Sequence, residues 1–265
     1  MRAGTVFDRA APTYGVVGPD FFSTLGEVLV ERSGISRGSR VLDVGAGTGA
    51  VTKFICERVG QDGSVLAVDI APQMLAQLRQ RLDQTVQGIP SVAVTDAAAL
   101  PVASDSFDAA LSGIALQSMP DPKRATAEMC RVVRQGGKLG ISISKGWWWE
   151  EDPRWQWHAD LLAQLGVMLS EPPPSVGSEF LDELLVGLPL QSIERTREVL
   201  QFQFYDAATY LHWCWSHGWR NVMERLSPVQ LADYEREVIR VMGNTEPFPG
   251  QLVAHIATAE KRMAG

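Results

Sequence analysis

The sequence predicts an α/β fold in which a mostly parallel sheet is covered by helices on both faces. Three observations carry that expectation. Short β-branched runs alternate with helix-length amphipathic segments through about residue 145. The first run ends abruptly in Gly45-Ala46-Gly47-Thr48-Gly49. Acidic residues, Asp43, Asp69 and Asp96, stand on or at the ends of the first three runs. Strands alternating with helices of this length build a parallel sheet, and right-handed crossovers leave few topologies open.

Taken in order, residues 40–44 (Arg-Val-Leu-Asp-Val) read as a buried strand, followed by a helix to about Val59 and a turn at Gly60-Gln61-Asp62-Gly63. Residues 64–69 are the second strand. Pro72 suits the first turn of the next helix, where its missing N–H costs nothing, and Met74, Leu78 and Leu82 share one face of that helix. Val92-Ala93-Val94 is a third strand ending at Asp96, and Phe107 opens a fourth. A helix from Pro122 to Arg134 is expected to stop at Gly136-Gly137, and Lys138–Ser144 is a fifth strand. Beyond residue 145 the pattern changes. Asp152-Pro153 starts a helix with an apolar stripe of Trp155, His158, Leu162 and Leu165, and Pro172-Pro173-Pro174 breaks the chain. A short helix near 179–186, a strand at 193–204, helices at about 206–220 and 227–242, and a strand at 252–259 complete the chain. The expected division is a core over 1–145 with an N-terminal helical cover and a Trp-rich lid insertion over 146–190. Residues 191–265 then supply the last strands, with a second helical insertion at about 206–242.

With 265 residues, 45% hydrophobic and 21% charged, the chain buries a large core without staples. A net charge of −7 and no dense Lys/Arg run argue against a nucleic-acid partner. Cys56, Cys130 and Cys214 are isolated, which suggests reduced thiols and no metal. No apolar run reaches the length of a membrane span, so a cytoplasmic protein is expected.

A strand ending in Gly-x-Gly-x-Gly lets a ligand lie against bare backbone at a helix N-terminus. Dinucleotides and other nucleosides both use such a loop. The acids discriminate. Asp43 is two residues before the first glycine, Asp69 can accept hydrogen bonds from both ribose hydroxyls, and Asp96 stands near an adenine. A carboxylate beside the loop is a poor neighbour for pyrophosphate and a good one for an ammonium or a sulfonium.

Val41-Leu42-Asp43-Val44-Gly45-Ala46-Gly47-Thr48-Gly49 resembles the S-adenosylmethionine (SAM) motif of class I methyltransferases. Phe107-Asp108, Met119-Pro120-Asp121, Glu128–Gly137 and the opening Phe7–Tyr14 are similar to the subgroup typified by ubiquinone/menaquinone-biosynthesis enzymes, the methyltransferase type 11 group. The likeness spans about residues 5–145. It implies a Rossmann-like seven-stranded sheet of order 3-2-1-4-5-7-6, strand 7 antiparallel, with an inserted helical lid. It also implies SAM as cofactor and S-adenosylhomocysteine as product. Asp43, Gly45 and Gly47 would hold the methionine end, Asp69 the ribose, and Asp96 with the Ala97 N–H the adenine. Ile70 or Met74 would pack on the adenine ring and Phe7 and Tyr14 would close over the cofactor; Ser112, at the fourth strand's end, completes the cofactor set. The chain departs from many relatives at Ala115-Leu116-Gln117-Ser118, where they carry Leu-His-His, and Gln117 becomes a candidate acceptor contact. Plainer roles stand beside these: Asp43 can brace the loop, Asp96 can cap a turn, Met74 can fill core and Tyr14 can be a surface phenol. Asp69 has the least structural use.

All eight tryptophans lie between Trp147 and Trp219, with His158, His212 and His217 among them. Trp147-Trp148-Trp149 follows the fifth strand, whose C-terminal end borders the ligand crevice of doubly wound sheets. One reading is an aromatic lid, with Trp147, Trp148 and Trp215 against a small hydrophobic or aromatic acceptor. The others are a glued helical layer or a homodimer face. His217 and His158 are the candidate general bases, although a histidine on an apolar stripe is more often structural. The expected reaction is methyl transfer to an O, C or N centre of a secondary-metabolite or quinone-like compound. The rivals are a cyclising or pericyclic enzyme or a non-catalytic SAM binder on the same fold, and a nicotinamide-dependent oxidoreductase, for which no Tyr-x-x-x-Lys pair follows the fourth strand.

Overall fold

A computed structural model describes residues 3–82, 90–144, 152–167, 177–243 and 246–263. Seven strands form one sheet: β1 (Arg40–Val44), β2 (Ser64–Asp69), β3 (Ser91–Val94), β4 (Phe107–Gly113), β5 (Val133–Ser144), β6 (Leu190–Phe204) and β7 (Phe248–Lys261). Their order is β3-β2-β1-β4-β5-β7-β6. The first five run parallel, and β7 is antiparallel to both β5 and β6. The expected topology is the observed one.

The strands of the parallel part read as continuous apolar runs because both faces are buried. Val41, Ala109 and Leu111 face α2 (Phe21–Arg32) and α3 (Thr52–Val59). Leu42, Val44 and Ala110 face the other way, toward α5 (Pro122–Val132) and α7 (Ser178–Leu185). The short α1 (Ala3–Ala10) packs on α4 (Pro72–Leu82). Asp121 starts α5 by accepting the Arg124 N–H at 3.0 Å, with Pro122 in the first turn.

Several boundaries differ from the sequence expectation, and two of them bear on the packing. Helix α5 stops at Val132, short of the glycine pair, because buried, β-branched Val133 pairs with Phe107 in the sheet. Residues 134–137 then bulge before Lys138 rejoins opposite Ala109, and Gly136 supplies the φ of +71° that the bulge requires. The expected helix over 206–220 is two helices, α8 (Ala207–Trp215) and α9 (Arg220–Met223). Between them Ser216 caps α8 by turning its hydroxyl onto the His212 carbonyl, and the exposed Gly218 follows in the connecting turn.

A second apolar core lies beside the sheet. Trp155, His158 and Leu162, from the turn before and the body of α6 (Gln156–Gln164), meet Tyr210 and Trp213 of α8 and Tyr234 and Val238 of α10 (Pro228–Met242). Stretches separated in sequence by α7 and β6 thus pack as one aromatic layer. Phe21 and Leu25 of α2 belong to this layer too, so α2 joins it to the sheet. Among the described residues no helix is long and apolar enough to cross a membrane.

Candidate functional site

The glycine loop leaves β1 by turning over the end of β2: the N–H groups of Gly45 and Ala46 both donate to the Val68 carbonyl, at 2.9 and 3.0 Å. Gly45 has φ +71°, and a Cβ there would stand 2.4 Å from the Ala115 Cβ. The loop after β4 therefore presses directly on the glycine loop, and only glycine fits between them. Gly47, at φ +54°, has no atom within 4 Å of the place its Cβ would occupy. That open space faces a cavity of about 430 Å³ at the C-terminal ends of β1–β4, the ligand position of doubly wound sheets.

Asp69 sits at the cavity wall with its carboxylate already engaged. Oδ2 accepts the Gly47 N–H at 2.9 Å and Oδ1 the Ala71 N–H at 2.8 Å. Each oxygen keeps a second lone pair. Burial raises the Asp69 pKa against those hydrogen bonds, which lower it. Asp96 also lines the cavity, and it caps the short turn Ala97–Ala99 through the Ala98 N–H at 2.9 Å. Ala97, Ile70 and Met74 line the same end, as do Phe7 and Tyr14. Tyr14 stacks on Phe22 at 5.3 Å and meets Phe7 edge-on at 6.1 Å. Burial and the neighbouring Asp69 push its phenol upward.

Asp43 and Ser112 are fully buried and do not line the cavity. The Ser112 hydroxyl donates to the Val44 carbonyl at 2.9 Å. Asp43 accepts the Thr52 hydroxyl at 2.5 Å on Oδ2, whereas its buried Oδ1 has no hydrogen-bond partner. Burial above all pushes this carboxyl up to about 7, with Thr52 pulling down and Asp69 adding to the rise.

The remaining wall is apolar and came mostly from residues that sequence reasoning missed. Phe22, Leu25 and Gly26 of α2, and Ile114, Ala115 and Met119 after β4, form it, with Ser118 and Ser142 as its hydroxyls. Nothing in the spacing of α2 separates its cavity positions from its core positions. Ile114 carries a structural mark that no sequence pattern gives, a β-branched residue at φ +49°. Gln117 lies just outside the lining, donating its amide to the Ser144 hydroxyl at 2.9 Å.

The candidate bases are elsewhere. His158 is fully buried in the aromatic layer, its Nε2 at 2.7 Å from the Tyr234 hydroxyl and 2.9 Å from that of Tyr210. Burial drives it down to about 3. His217 packs on the Trp213 ring, with centroids 3.6 Å apart, and its Nδ1–H donates to the Trp213 carbonyl at 2.7 Å. Burial lowers it to about 3 as well, against that hydrogen bond. Neither lines the cavity; where the sequence suggests a base, the structure has a neutral imidazole, fully buried at 158 and half-buried against an indole at 217. Trp215 is also outside the lining and carries the Arg220 guanidinium 5.5 Å from its ring centroid. Trp147 and Trp148 fall outside the described residues.

Comparison with known proteins supplies the family and agrees with the fold. Residues 42–141 match the family described as a methyltransferase domain. The nocamycin O-methyltransferase of Saccharothrix syringae is 27% identical over 248 residues, covering 89% of each chain. A ubiquinone/menaquinone biosynthesis C-methyltransferase of Chromobacterium violaceum is 36% identical over 152 residues, 55% of this chain and 62% of that protein. Among solved structures, the YcgJ protein of Bacillus subtilis superposes with a TM-score of 0.61 at 20% identity, over 91% of this chain and 99% of that one.

Proposed function

The chain belongs to the class I SAM-dependent methyltransferases, and from that premise we propose that its strand-end cavity binds SAM and admits a small hydrophobic or aromatic acceptor. Asp69 is the observation that carries the reading. Its buried carboxylate fixes Gly47 and still offers lone pairs to a ribose diol. The donor set fits the rest of a cationic nucleoside. Open space stands over Gly47, Asp96 and Ala97 line the same cavity, and Asp43, its Oδ1 unpartnered, stands behind the loop with a carboxyl that becomes negative as pH passes about 7. Ile70 and Met74 offer an apolar face to an adenine ring, and Tyr14 and Phe7 cover it.

When bound, SAM supplies an electrophilic methyl group for a one-step displacement at an O, C or N nucleophile. The protein's share is placement and exclusion of water, which together contribute several kcal/mol. Phe22, Leu25, Ile114 and Met119 make the apolar wall that would hold an acceptor, and Ser118 and Ser142 offer it hydroxyls. The likeness to nocamycin O-methyltransferase along most of both chains supports a secondary-metabolite acceptor. The quinone-biosynthesis relative supports an aromatic ring.

Calorimetric titration with SAM, S-adenosylhomocysteine and NADH tests the assignment, with Asp69→Ala alongside. Binding of both SAM species and not of NADH is expected. The variant should lose about ten- to hundredfold in affinity, as for charged hydrogen bonds worth roughly 1.5–3 kcal/mol. Unchanged affinity in Asp69→Ala would remove the ribose assignment, and NADH binding would overturn the cofactor.

A further inference from the structure

Helix α1 bears Phe7 on the cavity wall and leads to Tyr14, yet at eight residues it is too short to hold itself in place. On one side it is tied to the cofactor end. Ala11 packs with Ala71 and Met74, and Asp8 accepts the Gln73 N–H of α4 at 3.0 Å. On the other side it is tied to the inserted layer through one carboxylate. Arg9 donates Nε to Glu224 Oε1 at 2.7 Å and Nη2 to Oε2. Arg220 of α9 donates Nε to the same Oε1 at 2.8 Å and Nη1 to the Arg9 carbonyl at 3.0 Å. The Phe7 ring lies against Gly218, where an added Cβ would stand 3.7 Å from it.

We infer that Glu224 is a positioning residue for the cofactor: it latches α1 to the inserted layer, so that Phe7 and Tyr14 stay closed over the cavity. An isolated surface ion pair would be too weak for such a task, but a two-pronged guanidinium grip with a second arginine on the same carboxylate is the stronger geometry. The two guanidiniums hold the Glu224 carboxyl down at about 2, the Arg9 hydrogen bond most of all. The latch spans the two sides of the molecule. Whatever shifts α9, an acceptor entering beside the aromatic layer included, pulls on the cover of the cofactor.

The inference rests on the cavity being the SAM site, and its test separates the two. Glu224→Gln, Arg9→Gln and the double variant are compared with the wild type in three measurements. These are the S-adenosylhomocysteine dissociation rate by stopped flow, amide hydrogen exchange of residues 7–10 without ligand, and thermal midpoint. Each single variant is expected to speed release about three- to tenfold, somewhat more than an isolated exposed ion pair gives. Exchange in α1 should rise while the midpoint moves little, and the double variant should be no worse than either single one. Wild-type release rates and unchanged α1 exchange in both single variants overturn the latch. So does a loss of retention that only tracks a fall in midpoint. If the wild type binds neither SAM nor S-adenosylhomocysteine, the site assignment falls, and the exchange arm still decides whether Glu224 holds α1.

Discussion

The strand-end site and the aromatic layer put their ionisable residues to opposite uses. At the strand ends Asp69 and Asp96 make local backbone hydrogen bonds and still face a cavity. In the layer His158, Tyr210, Tyr234 and Cys214 turn their polar atoms on one another inside a core. What separates the regions is whether a polar atom has been satisfied by the fold or left facing open space, since burial without a partner is costly. The difference can be attacked from either side.

The largest effect is expected in the layer. Trp155 is fully buried, touches rings on α6, α8, β6 and β7, and donates its indole N–H to the Pro249 carbonyl at 2.9 Å. Trp155→Ala should cost about 3–5 kcal/mol of stability. The folded protein should nevertheless keep its S-adenosylhomocysteine affinity, as read by denaturant unfolding and calorimetry on one preparation. A selective loss of affinity, with stability intact, would mean that the layer is part of the site and that the contrast is false.

A smaller effect, with opposite signs in the two regions, is expected with pH. Asp43 has its ordinary value near 3.8 in the unfolded chain and about 7 in the native one. Between those values the native state binds more protons, so this carboxyl's contribution to stability falls as pH rises from about 4 to 7. His158 behaves the other way. Its native value near 3 lies below the ordinary 6.5, so the unfolded state binds the extra proton and its contribution is lost as pH falls through that range. Asp43→Asn should therefore gain stability relative to the wild type as pH goes from 4 to 7, by an amount on the order of a few kcal/mol, and level off above. Thermal or urea unfolding at several pH values reads it. A constant difference across the range would show that Asp43 ionises near its ordinary value and stays charged behind the loop throughout.

Much of the fold, and of the glycine-loop side of the cavity, was legible in the sequence because their determinants are local. Glycines at 45 and 47 are needed where the backbone turns or must stay bare, and the acid at the end of β2 stands where loop N–H groups need an acceptor. The topology of the last strands was legible only through family resemblance, since nothing in the residues of β6 and β7 dictates which pairs with β5. The apolar wall of the cavity was not legible. Phe22 and Gly26 face the cavity and Phe21 the aromatic core, a division set by how α2 lies against two neighbours. The histidines misled for a related reason. They stood out for their place among the tryptophans in sequence, while the burial that keeps His158 neutral is built with Tyr210 and Tyr234, far along the chain.

His217 gives the smallest expected effect and the sharpest comparison, because the outcome predicted is none. Its Nδ1–H is committed to the Trp213 carbonyl, its ring packs on that indole, and burial holds it near 3. A base must reach the leaving proton and be poised near the working pH, and His217 meets neither condition. Glutamine at this position can still donate to the carbonyl. In His217→Gln, S-adenosylhomocysteine affinity and the pH profile of methyl transfer to a hydrophobic acceptor found by screening should therefore match the wild type. General-base removal costs roughly a hundredfold or more in rate, far outside the scatter of such an assay. A drop of that size, with the fold intact, would bring the aromatic layer into the chemistry. It would also mean that α8 and α9 move toward the strand ends when the acceptor binds.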